Sequence, residues 1–516
     1  MSHPQPTRPT NPPVDLLNLD PVPTLLTRLR AELAVDFPTG RPVRISRAPG
    51  RLDVMGGIAD YTGSLVCEMP LDRAASVALS ARDDRQVQAF SFNLLDDHRP
   101  FTLRIPLDSI ANSSLTDLRR ELSEPGRRWA GYLIGCLFLL HENGYVDLAS
   151  PDVKGMNLAL FSTVASGAGI SSSAAIEVAT MNNLIDHFGI ARSLAGNSLP
   201  RPKEASFPLS KKSVDPMTIA SMCQQVENRV VGAPCGIMDQ ATSCYGQAGS
   251  LMRLLCQPHE VQSPLLFPTG IRAVGINSNV KHTVGGGMYG KTRCAAFMGH
   301  KIILEKMRQM GLAAGKQLVA DPMNGYLANL DLDDYKKYFR PFLPEQIKGS
   351  QFLLKYGSTI DSATKVELNV EYHVQQATDH HVFVASRVRN FCKFLEQAGR
   401  LDPEDPERKK VLDKAGHLMY ASHLSYTNDA LLGADECDML VDLVRKNEPA
   451  GLYGAKITGG GSGGTVAVLC DEGEAVDQTL YKIMAEYEAK TGLKPEVFLG
   501  TSPGAWWCGT VMVDEV

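Results

Sequence analysis

The chain lacks the patterns that mark secreted, zinc-binding or redox-active proteins. Its eleven cysteines are odd in number and scattered, and none belongs to a C-x-x-C pair. Residues 1–23 are rich in proline and contain no apolar run of signal-peptide length. We therefore expect free thiols in the reducing cytoplasm, and we interpret residues 1–23 as a disordered lead-in.

The chain also has no excess of positive charge and no convincing membrane span. Its formal net charge is −5, which argues against a nucleic-acid partner. Residues 155–176 carry no charge and could span a bilayer by length. The amide and hydroxyl groups within them are too numerous for a bilayer, so we expect no membrane partner. The sequence does not determine the oligomeric state.

Three glycine-rich segments are present, at residues 48–61, 166–175 and 456–464. The middle segment runs directly into a helical pattern in which apolar residues recur at Val178, Met181, Ile185 and Phe188. Glycines allow backbone N–H groups to approach an anion, and the start of a helix adds its positive dipole end. The junction therefore predicts an anion site, although a serine-capped helix after a flexible turn would give the same pattern.

The loop in this middle segment is neither a Walker loop nor a dinucleotide fingerprint. It resembles the ATP loop of the superfamily of galactokinase, homoserine kinase, mevalonate kinase and phosphomevalonate kinase, and the three motifs follow the family order over residues 44–510. The resemblance implies ATP bound by Gly167, Ala168, Gly169, Ile170, Ser171, Ser172 and Ser173.

The same resemblance implies the fold class and the domain organisation. We expect an α+β protein with two lobes and an active site in the cleft between them. Residues 24–265 would form the N-terminal kinase domain and residues 266–516 the C-terminal one. Residues 191–216 contain four prolines and several lysines, which indicate an inserted loop.

Two acidic residues lie in a stretch that is close to the galactokinase pattern, at residues 223–228 and 232–240. By this resemblance Glu227 and Ser173 would hold Mg²⁺, and Asp239 would orient the sugar hydroxyl and accept its proton. Read without the family, Glu227 is a surface acid and Asp239 helps to start a helix. Arg51 would neutralise charge on the transferred phosphoryl group, although a fold-holding ion pair is the alternative.

The first motif departs from galactokinase where the substrate would bind. Asp60 and, further along the chain, Tyr289 match galactokinase residues that contact the sugar, but residues 57–59 read Gly-Ile-Ala in place of Glu-His-Thr. The Glu and His of galactokinase would bind the hydroxymethyl side of the sugar, and L-arabinopyranose lacks the exocyclic hydroxymethyl group. Polar side chains left without partners in a dry pocket cost free energy, so their replacement fits this sugar. The run over residues 52–61 is similar to that of plant L-arabinokinases.

The resemblance therefore predicts an ATP-dependent kinase that forms L-arabinose 1-phosphate and ADP, with Mg²⁺ as metal and a monosaccharide as substrate. A galactokinase forming D-galactose 1-phosphate, or a catalytically silent galactokinase-like sensor of sugar and ATP, are the alternatives. Restoring glutamate at Gly57 and histidine at Ile58 should then shift preference towards galactose.

The third glycine segment would pass for a flexible linker on its own. Because short strand-like runs flank it at residues 455–458 and 465–469, we expect a tight loop that supports the nucleotide loop and supplies no catalytic side chain. Trp129 and Tyr132 are interpreted as packing residues.

Overall fold

A computed structural model describes residues 15–194, 197–198, 212–280, 287–314 and 320–514. Its strands are β1 Val43–Met55, β2 Leu65–Ala81, β3 Gln86–Ser91, β4 Thr102–Pro106, β5 Met156–Ser162, β6 Ala191–Leu194, β7 Asn197–Ser198, β8 Ser213–Val214, β9 Ser250–Leu255, β10 Glu260–Val261, β11 Leu265–Leu266, β12 Ile271–Asn277, β13 Ile347–Lys348, β14 Glu371–Tyr372, β15 Leu452–Ile457, β16 Thr465–Asp471, β17 Glu496–Phe498 and β18 Thr510–Val513.

The α-helices are α1 Val22–Glu32, α2 Phe92–Asp96, α3 Leu107–Asn112, α4 Leu115–Leu122, α5 Gly131–Glu142, α6 Ser172–His187, α7 Pro216–Gln225, α8 Met238–Tyr245, α9 Met288–Ala313, α10 Leu332–Asp334, α11 Gly349–Tyr356, α12 Val374–Arg400, α13 Pro406–Asn428, α14 Asp435–Lys446, α15 Glu474–Thr491 and α16 Ala505–Cys508. Short 3₁₀ turns occur at Leu16–Asn18, Gly57–Thr62, Arg128–Ala130, Leu327–Asn329, Arg340–Phe342 and Glu448–Ala450, and π-helical turns at Val226–Val231 and Tyr335–Phe339.

The larger sheet carries the first motif and supports the serine loop. Its strands follow the order β10-β9-β2-β5-β3-β4, and β1 pairs antiparallel with β2. Helix α6 packs against β1 and β2, where the Asn183 amide donates to the carbonyls of Arg44 (3.0 Å) and Val77 (2.8 Å). Buried amides that bond to strand carbonyls fix a helix firmly, so these bonds hold the end of α6 against the start of β1. Just before α6 begins, the Ile170 carbonyl accepts from the Arg51 backbone N–H of β1 at 3.1 Å.

The smaller sheet carries the third motif. It has the order β15-β16-β12-β17 and packs against α13 and α14. Strands β15 and β16 pair antiparallel and enclose the third glycine segment, which confirms the prediction of two strands around a tight loop. Helix α6 begins at Ser172, where the helical pattern after the middle glycine segment predicts a helix.

The end of the chain returns to the larger sheet. Strand β18 pairs with β1 from Val43↔Val513 to Ser46↔Thr510, and the Trp507 indole N–H donates to the Tyr245 carbonyl at 2.9 Å. The sequence placed these last residues in the C-terminal domain with the rest of 266–516. The domain boundaries stay a prediction. Residues 510–513 join the larger sheet, and a local pattern does not reveal a strand partner so distant in sequence.

The lead-in prediction over residues 1–23 is wrong for residues 15–23. Leu16 and Val22 are buried in an apolar cluster with Leu25, Leu29 and Phe37, because the leucines between the prolines have a core to join. Helix α1 begins at Val22 with proline in its first turn, a favoured position. Residues 1–14 lie outside the described part of the chain.

The insertion prediction over residues 191–216 falls partly outside the described residues, which omit 195–196 and 199–211. Its two ends are paired, because β6 and β8 run parallel with Ala191 opposite Ser213. Helix α7 then begins at Pro216, capped by the Asp215 carboxylate. Trp129 and Tyr132 pack against the main core as predicted.

No helix in the described ranges is long and apolar enough to cross a membrane.

Candidate active site

The three glycine-rich segments meet at one cleft. The cleft collects side chains and backbone from the first motif, the serine loop, the α7–α8 region, the start of α9 and the third motif. Its lining residues are Arg51, Ile58, Asp60, Gly167, Gly169, Ile170, Ser171, Ser172, Ser173, Glu227, Pro234, Cys235, Gly236, Met238, Asp239, Tyr289 and Gly460. Of the predicted site residues only Ala168 does not line it; Ala168 is buried behind the loop, where its carbonyl accepts from the Thr465 hydroxyl at 2.7 Å.

The serine loop has the geometry of an anion cradle. Gly167 and Gly169 have φ of +75° and +71°, and Ser171 adopts the left-handed region at φ +63°, which a non-glycine residue rarely does without a reason. The Ser171 hydroxyl is buried and has no hydrogen-bond partner among the described residues. Helix α6 begins at the next residue, so its first N–H groups open onto the same space. A phosphate fits this unpaired donor set.

Arg51 and Asp239 form an ion pair in the middle of the cleft, in which Arg51 is buried and Asp239 is 24% exposed. The Arg51 guanidinium donates to Asp239 Oδ1 from Nε (2.8 Å) and lies 2.7 Å from it at Nη2, while Nη1 donates to the Gly169 carbonyl at 2.8 Å. Burial lowers the pKa of Arg51, but the negative charges of Asp239, Glu68 and Asp53 outweigh it and leave that pKa raised. Arg51 thus remains a cation that joins the serine loop to Asp239.

Behind Arg51 lies a second, fully buried acid. Glu68 Oε2 is 3.3 Å from Arg51 Nε, yet neither carboxyl oxygen of Glu68 has a hydrogen-bond partner in the described structure. Burial, reinforced by Asp53, raises the pKa of Glu68 well above its usual range. No local motif marks this acid in the sequence.

Glu227 and Ser173 offer the oxygen ligands that Mg²⁺ prefers. Glu227 lies on the π-helical turn after α7 and is buried at the cleft wall, where Gln240 Nε2 donates to its Oε2 at 2.9 Å. Burial and the charge of Asp239 raise the pKa of Glu227 to about 7, against a hydrogen bond from Ser173 that lowers it. A carboxylate and a hydroxyl in contact beside the anion cradle fit a magnesium ion shared with phosphates.

Asp60 and Tyr289 mark the other end of the cleft. Asp60 is 5% exposed and accepts from the Tyr61 backbone N–H at 2.7 Å. Burial and the charge of Asp239 raise the pKa of Asp60 to about 6. A Cβ on Gly236 would lie 1.5 Å from Asp60 Oδ2, so only glycine fits beside this carboxylate. Tyr289 lies in the first turn of α9 and packs edge-on against Tyr61, with ring centroids 6.1 Å apart.

Arg293 supports this end of the cleft and was missed from the sequence. Its guanidinium bonds both oxygens of Asp361 at 2.9 and 3.0 Å, donates to the Cys235 carbonyl at 3.3 Å and lies 4.7 Å over the Tyr61 ring. The Tyr61 hydroxyl in turn lies 2.9 Å from His381 Nε2. No local motif surrounds Arg293 or Asp361, and only the fold brings them together.

A buried ion pair ties the third motif to the first. Lys456 Nζ lies 2.6 Å from Asp53 Oδ2, and the two side chains are 1% and 0% exposed. The backbone N–H groups of Gly57 and Gly459 donate to the same carboxylate at 3.0 Å. Burial raises the pKa of Asp53, but the positive charges of Lys456 and Arg51 outweigh burial and hold that pKa below its usual value. The predicted supporting role of the third segment stays a prediction, and this pair is its structural basis.

Gly57 and Ile58 differ in what they can contribute to the cleft. Ile58 lines it, whereas Gly57 is buried at φ +55° and a Cβ there would lie 1.8 Å from the Tyr426 hydroxyl. A glutamate at residue 57 therefore has no room. The expectation that Gly57→Glu with Ile58→His shifts preference towards galactose stays a prediction, and Tyr426 occupies the space that the glutamate would need.

Comparisons with known proteins agree with this architecture. A model of the GHMP kinases C terminal region matches residues 408–489, and one of the GHMP kinases N terminal domain matches residues 204–247. The L-arabinokinase of Arabidopsis thaliana is 33% identical over 513 residues, and the galactokinase of Chloroflexus aggregans is 29% identical over 452 residues. The alignment with the first covers 89% of this chain and 46% of that protein, and with the second 87% and 90%.

Among solved structures, Lactococcus lactis galactokinase complexed with galactose superposes with a TM-score of 0.67 at 20% sequence identity, covering 94% of this chain and 99% of that one. The chain has the two-part α+β fold of these kinases. The chain carries matches to both the N-terminal and the C-terminal GHMP kinase models. It spans about half the length of the plant relative.

Proposed function

We propose that the protein is an ATP-dependent sugar 1-kinase that transfers the γ-phosphoryl group to the anomeric hydroxyl of L-arabinose, giving L-arabinose 1-phosphate and ADP. One observation carries the proposal: the Arg51–Asp239 pair lies between the serine-loop cradle and the Asp60–Tyr289 end of a single cleft. An acid placed between a phosphate site and a polyol site is suited to activate a hydroxyl for phosphoryl transfer.

Asp239 would accept the proton of the substrate hydroxyl as that oxygen bonds to phosphorus. Among the described residues Arg51 engages only Oδ1 of Asp239, which leaves the other carboxylate oxygen for the substrate. Arg51 would stabilise negative charge spread over the transferred group, because it already contacts the serine loop through the Gly169 carbonyl. Asp60 and Tyr289 would hold the sugar by its ring hydroxyls and its face.

ATP would place its phosphates on residues 167–173, and Glu227 and Ser173 would hold Mg²⁺. When bound, Mg²⁺ neutralises phosphate charge and aligns the phosphoryl group with its acceptor. Gln240 orients Glu227 through the 2.9 Å hydrogen bond to Oε2, and the unpaired Ser171 hydroxyl is available to a phosphate oxygen.

L-Arabinose is the proposed substrate because the cleft presents the apolar Ile58 next to Asp60, and Gly57 offers no side chain. The similarity to the plant L-arabinokinase supports this assignment. D-Galactose is the second candidate, since the galactokinase of Chloroflexus aggregans aligns over 90% of its own length. All eleven cysteines are free, which supports a reducing, cytoplasmic setting.

The test is ADP release with Mg²⁺-ATP and L-arabinose, D-galactose, D-galacturonate or D-glucuronate, compared by kcat/KM. We expect L-arabinose to lead, and Asp239→Asn to lose about 10² to 10⁴-fold in kcat. Asp97→Asn, at an exposed acid that does not line the cleft, is the matched control. A higher kcat/KM for D-galactose than for L-arabinose would make D-galactose the substrate. Binding of ATP and sugar without turnover would favour the sensor hypothesis over the kinase hypothesis.

A further inference from the structure

Tyr426 occupies the space that a side chain at residue 57 would need. A Cβ on Gly57 would lie 1.8 Å from the Tyr426 hydroxyl oxygen and 2.8 Å from Cζ, and Gly57 already has a positive φ of +55°. These distances are far inside van der Waals contact. A tyrosine at 426 and a side chain at 57 therefore exclude each other in this backbone arrangement.

The Tyr426 hydroxyl also joins the first motif to the third. It donates to the Gly459 carbonyl at 2.6 Å and accepts from the Ile58 backbone N–H at 3.1 Å. All three residues are buried or line the buried wall of the cleft. Each backbone group would lose its partner if the hydroxyl were removed, and a buried polar group without a partner destabilises the fold.

The ring that carries this hydroxyl cannot easily turn away. Tyr426 is 1% exposed, the His380 ring packs edge-on against it with centroids 5.0 Å apart, and Lys456 Nζ lies 5.5 Å from its centre. Lys456 is itself fixed by Asp53. The position of the Ile58 backbone is consequently set by a rigid group rather than by its own short turn.

We propose that Tyr426 is a specificity-determining residue: by bonding the Ile58 N–H and filling the space beside Gly57, it holds an apolar wall against the substrate and selects a pyranose without an exocyclic hydroxymethyl group. The proposal rests on the proposed function, since it concerns the sugar end of the same cleft. Ile58 lines that cleft together with Asp60 and Tyr289, so a shift of its backbone moves the wall that the sugar meets.

The first experiment compares Tyr426→Phe with Tyr487→Phe. Tyr487 is an equally buried tyrosine of the same apolar cluster, and its hydroxyl donates to the backbone carbonyl of Ser278 at 2.8 Å. It is a matched control because its partner Ser278 does not line the cleft, whereas Ile58, the partner of Tyr426, does. We expect Tyr426→Phe to lower the ratio of kcat/KM for L-arabinose over D-galactose at least tenfold, with KM for ATP within about threefold of wild type. Tyr487→Phe should lower Tm comparably and leave the ratio unchanged. An unchanged ratio in Tyr426→Phe overturns the proposal.

A second experiment tests the exclusion without using turnover. Gly57→Ala should lower Tm strongly beside Tyr426, and Tyr426→Leu should relieve part of that loss, so the double variant is more stable than the two single losses predict. Additive losses would overturn the packing step. Absence of turnover by the wild type with every sugar would overturn the proposed function and the specificity role with it. If the wild type is active but Tyr426→Phe leaves the ratio of kcat/KM for L-arabinose over D-galactose unchanged, only the specificity role is overturned.

Discussion

Removal of the Lys456 charge should destabilise the protein far more than removal of an exposed lysine charge. Lys456→Met keeps the length of the side chain and leaves Asp53 buried without its cation. Breaking a buried ion pair from one side costs about 3–5 kcal/mol. Lys490→Met is the control: its partner Glu486 is only 2.5 Å away, but the two side chains are 44% and 48% exposed, and such pairs contribute about 1 kcal/mol or less.

The expected shift in melting temperature follows from the length of the chain. An unfolding entropy of about 2.1 cal/mol/K per residue gives about 1 kcal/mol/K for 516 residues. Lys456→Met should therefore lower Tm by about 3–5 °C and Lys490→Met by about 1 °C or less in differential scanning calorimetry.

A double variant separates the pair from ordinary side-chain loss. Asp53→Asn/Lys456→Met removes both charges, and Asn retains an oxygen that can accept from the Gly57 or Gly459 N–H. We expect the double variant to be more stable than the sum of the single losses by at least about 1 kcal/mol. Equal Tm values for Lys456→Met and Lys490→Met, or strict additivity of Asp53→Asn and Lys456→Met, would refute the conclusion that this pair fastens the third motif to the first.

The remaining predictions concern the cleft. Asp60→Asn should raise Tm above pH 6 and change it little below pH 4. The pKa of Asp60 is about 6 in the folded protein and near 4 in the unfolded chain, and this difference of roughly two units corresponds to about 3 kcal/mol of folding free energy. Because the folded protein favours the neutral acid, this stability is present at low pH and is lost as pH rises through 6. The same variant should raise KM for the sugar, and unchanged sugar kinetics would remove Asp60 from the substrate site. Glu227→Gln should raise the Mg²⁺ concentration for half-maximal rate at least tenfold, and an unaltered Mg²⁺ titration would argue for a purely structural acid. Arg51→Lys keeps the charge but loses the fork between Asp239 and the Gly169 carbonyl, so kcat should fall about 100-fold; wild-type kcat would contradict the role given to Arg51.

Local patterns predicted the elements that present the phosphate cradle. The helical spacing after Ser172 depends only on neighbouring residues, and a helix begins at Ser172 as expected. The prediction that Arg51, Asp239 and Glu227 share one cleft came from the family resemblance. Their spacing alone left ion-pair and helix-start interpretations open.

Long-range partners could not be predicted in this way. Tyr426 lies 368 residues from the Ile58 N–H that it accepts from, and Lys456 lies 403 residues from Asp53. Glycine at residue 57 looked like a missing polar group, but the cause is steric, since a tyrosine from α13 fills the space. The lead-in was misjudged because prolines dominate its composition, although Leu16 and Val22 find an apolar cluster to join.

The central claim is that this cleft phosphorylates the anomeric hydroxyl of a monosaccharide. Phosphorus NMR of the product formed from Mg²⁺-ATP and L-arabinose tests it most directly, because a phosphate on C1 couples to the anomeric proton and blocks the reducing end. We predict a single sugar phosphate with this coupling, formed together with one ADP, and formed about 10² to 10⁴-fold more slowly by Asp239→Asn. A phosphate on another carbon, or ADP and inorganic phosphate with no sugar phosphate, would contradict the account.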